Sequence, residues 1–332
     1  MSESSSLVNN LFLQGVICDL DINYWKGRKA AKSVFGDLNI DETAWENNLL
    51  SGGYVKLISD ELRLEFGKIE SSARRWLELH SFGFMNLRFV PYQSVDILMN
   101  GCVLSNGDTA HGLYQLQASF EKLTREFLDK FDDNRQKYID ELASKDPRYK
   151  AILERIYPSC AQIKEKFGMT WSFFKMQVPT GDDNTLDQTN LDKIYVSAKV
   201  RADTEKMMRD SIKTKTDGFI ENVVGDLRGR VVDALQKFKT AIETDGTVRS
   251  TSITSMRNAI ANFSNLNFVG DAELNDVLSK FDNHLSNMGS IKKTDGDLKI
   301  AMGATIDSIM KIATDRSNID NVTGSFLRKI DV

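Results

Sequence analysis

Between Leu113 and Pro158 the apolar side chains recur at steps of mostly three or four: Leu113, Leu116, Phe120, Leu123, Phe127, Phe131, Tyr138 and Leu142. That spacing returns each residue to one face of a helix. Glu121, Arg125, Asp129, Asp132, Arg135 and Lys137 fall on the other, wetted face. Lys145-Asp146-Pro147 interrupts the pattern, Ala151, Ile152 and Ile156 resume it, and Tyr157-Pro158 ends it. About 40 helical residues would span about 60 Å, which asks for an equally long partner. A second periodic stretch, about Asp192–Glu243, offers one through Ile212, Phe219, Val223, Leu227, Val231, Leu235, Phe238 and Ile242. The pattern therefore predicts a long antiparallel helical hairpin, with Phe120, Phe127 and Phe131 facing Val223, Val231 and Phe238.

The flanking regions read differently. Val16, Cys18, Leu20, Ile22 and Tyr24 alternate with Asp19, Asp21 and Asn23, the period of a half-buried strand. A helix from Ser59 or Asp60 to about Ser81 carries Leu62, Phe66, Ile69, Ala73, Trp76, Leu77 and His80 on one stripe. Phe84–Val90 reads as extended, and short helices are expected at Asp41–Leu50 and Ser94–Leu104. Met169–Val178, with Trp171, Phe173 and Phe174, reads as an extended apolar segment at the tip of the hairpin. Three shorter helices close the chain, at about Ser252–Phe263, Asp271–Leu285 and Asp297–Ala313. The expected fold is mainly α: a small α+β part over 1–110, the hairpin over 111–245 and C-terminal helices over 246–332. The second long helix also carries Met207, Met208, Ile220, Val224 and Val232 off its main stripe. A helix apolar on more than one face needs a further neighbour, so a homo-oligomer with the hairpin in its interface is expected.

Composition narrows the function classes. Four prolines in 332 residues favour long helices. Residues 1–110 carry 10 Lys/Arg and 14 Asp/Glu, while the remaining 222 carry 33 of each sign, so bulk attraction to nucleic acid or an anionic membrane is not supported. Three widely spaced cysteines, Cys18, Cys102 and Cys160, read as reduced thiols in a cytoplasm-like compartment. No apolar run approaches the length of a membrane span, and the acidic start lacks a signal peptide's basic region.

Candidate chemistry is sparse. The sequence holds no GxxxxGK[ST], GxGxxG or GxSxG pattern and no CxxC pair, and His80, His111 and His284 are far apart. No catalytic residue, metal site or cofactor is expected. Asp19 with Asp21 and Asp182 with Asp183 are read as solvated carboxylates rather than cation ligands. The strongest candidate is Trp25, Lys26, Arg28 and Lys29, with Lys32 just after, where charge and an aromatic face meet at a strand exit. That mixture suits phosphate, a single strand or an acidic patch on a protein. Gly27 within it is expected to hold a backbone geometry that other residues avoid.

At Leu20-Asp21-Ile22-Asn23-Tyr24-Trp25-Lys26-Gly27-Arg28-Lys29 the chain resembles an uncharacterised phage and bacterial family with a strand followed by a Trp-x-Gly-Arg-Lys-like turn. Phe82-Gly83-Phe84 through Val90-Pro91, the helix with Phe120, Phe127, Leu128 and Tyr138, and Trp171-Ser172-Phe173-Phe174 before Pro179 agree with it. The resemblance covers about residues 15–240 and leaves 245–332 without a counterpart. It brings no catalytic residues. Members are often encoded beside a MoxR-type AAA+ ATPase and a von Willebrand A-like protein, which implies an adaptor, client or assembly component of such an ATPase system in the bacterial host cytoplasm. The expected function is therefore non-enzymatic protein binding, through Trp25, Lys26, Arg28 and Lys29 and through Trp171, Phe173 and Phe174. The alternatives are a nucleic-acid binder using the Trp25–Lys32 cluster and a self-assembling structural protein.

Overall fold

The computed structural model describes residues 10–30, 50–51, 54–145, 147–175, 198–245, 249–287 and 296–330. The expected helix at Asp41–Leu50, Lys32, the Asp182-Asp183 turn and the stretch from Asp192 to Ser197 lie outside these residues, save that Leu50 opens a strand.

Strand β1, Gly15–Asn23, follows the alternation read from the sequence in its second half, with Leu20 and Ile22 inward and Asp19, Asp21 and Asn23 outward. It is followed by β2 (Arg28–Ala30), β3 (Leu50–Ser51) and β4 (Tyr54–Lys56), three short strands paired antiparallel in the order β2-β4-β3. Helix α1, Asp60–Leu79, opens with Ser59 accepting the Leu62 amide at 3.3 Å. Then β5 (Phe82–Phe84) and β6 (Leu87–Pro91) form a two-residue hairpin that places Met85 at φ 55°. Helix α2 (Tyr92–Asn100) and the ribbon of β7 (Cys102–Val103) with β8 (Thr109–Ala110) complete this stretch. β6 pairs with β1 from Gly15↔Pro91 to Cys18↔Arg88. Only a glycine fits at position 15, where a Cβ would meet the Val90 carbonyl oxygen at 2.4 Å.

The first long helical stretch is three helices: α3 (Leu113–Asp129), α4 (Phe131–Lys145) and α5 (Arg148–Ile156). α4 and α5 pack on each other across the link at Pro147. A short helix α6 (Cys160–Lys164) and strand β9 (Gly168–Phe174) follow. β9 is not a hairpin tip: it completes a four-stranded sheet ordered β5-β6-β1-β9. The second long stretch is one continuous helix, α7, Ala198–Asp245. Helices α8 (Ser250–Leu266), α9 (Ala272–Asn287), α10 (Gly296–Thr314) and α11 (Arg316–Ile330) follow, the last in addition to the three C-terminal helices expected. Helices account for 72% of the described residues, which makes the protein mainly α with a small antiparallel sheet near the N-terminus.

These elements form two compact units, and the chain enters each more than once. The larger unit takes 1–19, 77–110 and 173–332; the smaller takes 20–76 and 111–172. In the larger unit α7 packs against α8, α10 and α11 and touches β5. Its core joins Phe84, Phe89, Phe219 and Phe268 to the inward stripes of the C-terminal helices. In the smaller unit α3, α4, α5 and α6 enclose an aromatic core of Trp25, Phe127, Phe131 and Tyr157 with Ile139, Leu153 and Ile163.

The expected long hairpin is not confirmed. Phe127 and Phe131 belong to the aromatic core, Phe120 packs on Phe66, and Val223, Val231 and Phe238 belong to the other core. The first stretch breaks at Lys130, where Phe127 and Phe131 both turn onto Trp25. The off-stripe residues Ile220 and Val224 are fully buried within the same chain, and Val232 is partly so. They need no second copy for cover, whereas Met207 stays exposed.

Candidate functional site

Where β1 ends, the chain turns sharply to enter β2, and Gly27 makes the turn. Its φ is +57°, and a Cβ there would lie 2.4 Å from Ile58 Cγ1, so both conformation and space require glycine. The Gly27 carbonyl accepts the Leu57 amide at 2.7 Å. The Leu57 carbonyl in turn accepts the Tyr157 hydroxyl, deep in the smaller unit. Burial pushes the Tyr157 hydroxyl well above its usual range, with Tyr138 adding to the rise, so it stays a neutral donor.

Trp25 anchors the same turn from the other side. Its ring is 8% exposed and packs edge-on against Phe131 at 5.7 Å and Tyr157 at 6.4 Å, and tilted against Phe127 at 6.2 Å. With most of its area in the core it holds the loop rigid, and only an edge remains to line a surface. The rigid floor continues through Arg135, whose guanidinium sits 5.9 Å from the Tyr157 ring centroid.

Beside these residues opens a cavity of about 600 Å³, lined by Trp25, Lys26, Gly27 and Arg28 of the turn after β1 and by Arg155, Ile156, Tyr157, Pro158, Gln162 and Lys166 around the α5–α6 junction. Lys26, Arg28, Arg155 and Lys166 are exposed, and none makes an ion pair with a described residue. Among the described residues, none that lines the cavity is acidic. Four cations without an ion pair to any described residue line one concavity of a chain whose net charge is −4, and their like charges favour an anionic group there.

The second part of the lining is positioned by the end of α5 and the start of α6. Ser159 caps α6 by accepting the Gln162 amide at 3.3 Å, and the Gln162 side-chain oxygen accepts the Ser159 amide at 2.9 Å. That reciprocal pair fixes Gln162, while Pro158 ends α5 and leaves Arg155 at its cationic C-terminal turn.

The cavity thus collects Trp25, Lys26 and Arg28 from the residues singled out in the sequence. Lys29 lies on β2 opposite Val55. Trp171, half-buried, packs edge-on against Tyr114 at 5.6 Å, and Phe173 and Phe174 are each 38% exposed; none of the three lines the cavity. Arg155, Gln162 and Lys166 were not anticipated. The available signal was the set Arg155, Lys164 and Lys166 around Tyr157-Pro158, which mirrors the cations around Trp25.

A family model described as "Protein of unknown function (DUF3150)" matches residues 13–311. The chain belongs to that family. The DUF3150 match extends beyond the residues 15–240 of the resemblance and takes in α8, α9 and most of α10. No curated protein and no solved structure matches the chain. No described helix is long and apolar enough to cross a membrane.

Proposed function

We propose that this DUF3150 protein acts by binding other proteins rather than by turnover, and that the cavity beside Trp25 is its binding face. The observation that carries this is the arrangement of Lys26, Arg28, Arg155 and Lys166, four exposed cations mounted on a rigid aromatic floor. A preformed concavity with fixed walls favours recognition, because little ordering entropy is lost on binding. The partner we propose is an AAA+ ATPase of the MoxR type, the association the resemblance implies, with this chain as adaptor, client or assembly component in a bacterial or phage-infected cytoplasm. A nucleic-acid ligand is the competing reading, favoured by the same cations.

The test uses the purified full chain and a purified AAA+ ATPase of the MoxR type. Arg28→Glu with Arg155→Glu is expected to abolish co-elution while leaving the circular dichroism spectrum and melting temperature intact. Unaided hydrolysis of a nucleotide or phosphodiester by the wild type, lost in the same double variant, refutes the proposal.

A further inference from the structure

Resting on that reading, we infer that the cavity takes an acidic segment of the partner carrying one apolar anchor residue, and not a nucleotide or a nucleic-acid strand. The lining divides by chemistry. Lys26, Arg28, Arg155 and Lys166 contribute charge to the lining, while Trp25, Ile156, Tyr157 and Pro158 contribute apolar surface. Trp25, Ile156 and Tyr157 are buried and so belong to the floor, whereas the four cations are exposed and belong to the rim. An occupant complementary to both carries carboxylates that reach the rim and an apolar side chain that reaches the floor. A volume of about 600 Å³ accommodates one large side chain with its flanking residues.

The hydrogen bonds that the lining already makes favour a side chain over a base. Reading a base edge takes unspent donors and acceptors. The Tyr157 hydroxyl donates to the Leu57 carbonyl, the Gly27 carbonyl accepts the Leu57 amide, and the Gln162 side-chain oxygen accepts the Ser159 amide. Stacking platforms for single strands present aromatic faces to solvent, but the Trp25 ring is enclosed by Phe127, Phe131 and Tyr157. What the floor offers is contact area, which suits an aliphatic or aromatic side chain.

The experiment is fluorescence anisotropy with the full chain and four labelled probes: an oligo-glutamate peptide with a central Leu, the same peptide with Ala there, an oligothymidylate and ATP. The Leu peptide is expected to bind about tenfold or more tightly than the Ala peptide, and its affinity to fall as salt is raised. Arg28→Gln and Arg155→Gln, each at an exposed side chain, are expected to weaken it about two- to fivefold apiece, and Lys26→Gln with Lys166→Gln to do likewise. Equal binding of the Leu and Ala peptides overturns the anchored-segment inference. So does tighter binding of ATP or oligothymidylate with the same dependence on Arg28 and Arg155. If the wild type binds no peptide while the Arg28→Glu, Arg155→Glu protein still loses the ATPase, this inference fails and the proposed function stands. If that double variant retains the ATPase, the proposed function itself fails.

Discussion

Arg228 is the most consequential side chain to remove from the larger unit. It projects from α7 with 1% of its side chain exposed and meets Asp271, 0% exposed, at 2.6 Å between Nε and Oδ2. Its Nη1 donates to the Ile312 carbonyl at 2.8 Å, near the C-terminal end of α10. Asp271 stands immediately before α9 and accepts the Leu274 amide at 3.3 Å. One guanidinium therefore ties α7 to the start of α9 and the end of α10. Replacing Arg228 with Met leaves a carboxylate buried without its cation, and breaking such a pair costs about 3–5 kcal/mol. For a body of this size each kcal/mol moves the midpoint by about 2–4 °C, so the melting temperature should fall by about 6–20 °C. The Nη2 atom of Arg228 is buried with no hydrogen-bond partner among the described residues, so the native pair carries a desolvation cost of its own. Arg228→Met with Asp271→Asn removes both charges and keeps a side-chain oxygen able to accept the Leu274 amide. The double variant should recover part of the loss: the Ile312 carbonyl keeps the Asp315 amide at 3.4 Å, and the side-chain NH2 introduced at position 271, left without an acceptor, costs about 1–3 kcal/mol. Thermal melts followed by circular dichroism report both values. A single Arg228→Met protein with an unchanged midpoint, or a double variant no better than the single one, refutes the reasoning.

Four further outcomes are expected. Gly27→Ala forces a Cβ against Ile58 at a left-handed φ and should destabilise the protein by about 1–3 kcal/mol in urea melts. Phe127→Ala empties a site between Trp25, Phe131 and Phe167 and should cost about 3–5 kcal/mol, with a rise in Trp25 exposure read by acrylamide quenching. Burial, reinforced by Asp19, pushes the Cys18 thiol from 9.0 up to about 12, so native protein treated with iodoacetamide near pH 8 should carry no label at Cys18 by mass spectrometry. Because the unfolded thiol ionises first, the Cys18 contribution is complete below pH 9.0 and is lost as pH rises toward about 12; Cys18→Ala should flatten that alkaline slope in melting temperature.

The helical class and the local elements were legible because periodicity reports which face of an element is buried, residue by residue. β1, α1 and the inward stripes of α8, α9 and α10 follow that pattern directly. What periodicity does not report is which buried face meets which. Phe127 and Val231 carry the same signal, yet one completes an aromatic core and the other a helical one. The break at Lys130 has no Pro or Gly to announce it, since tertiary packing of Phe127 and Phe131 on Trp25 makes it. Half of the candidate site was visible as the cluster at Trp25. The other half was not, because Arg155 and Lys166 lie about 130 residues along the chain from it and only the fold makes them neighbours.

The alternation of the chain between two units bears on how it is made. Phe89 and Phe219, whose rings sit 5.4 Å apart, are separated by 130 residues, so at about 5–20 residues per second a ribosome needs about 7–26 s to deliver the second after the first. Through that interval β5 and β6 present Phe82, Phe84 and Phe89 without the helix that covers them. The smaller unit has all its segments by residue 172 and is free to close first. Nascent chains stalled shortly after residue 175 are thus expected to recruit a holding chaperone, and those stalled after α11 to release it.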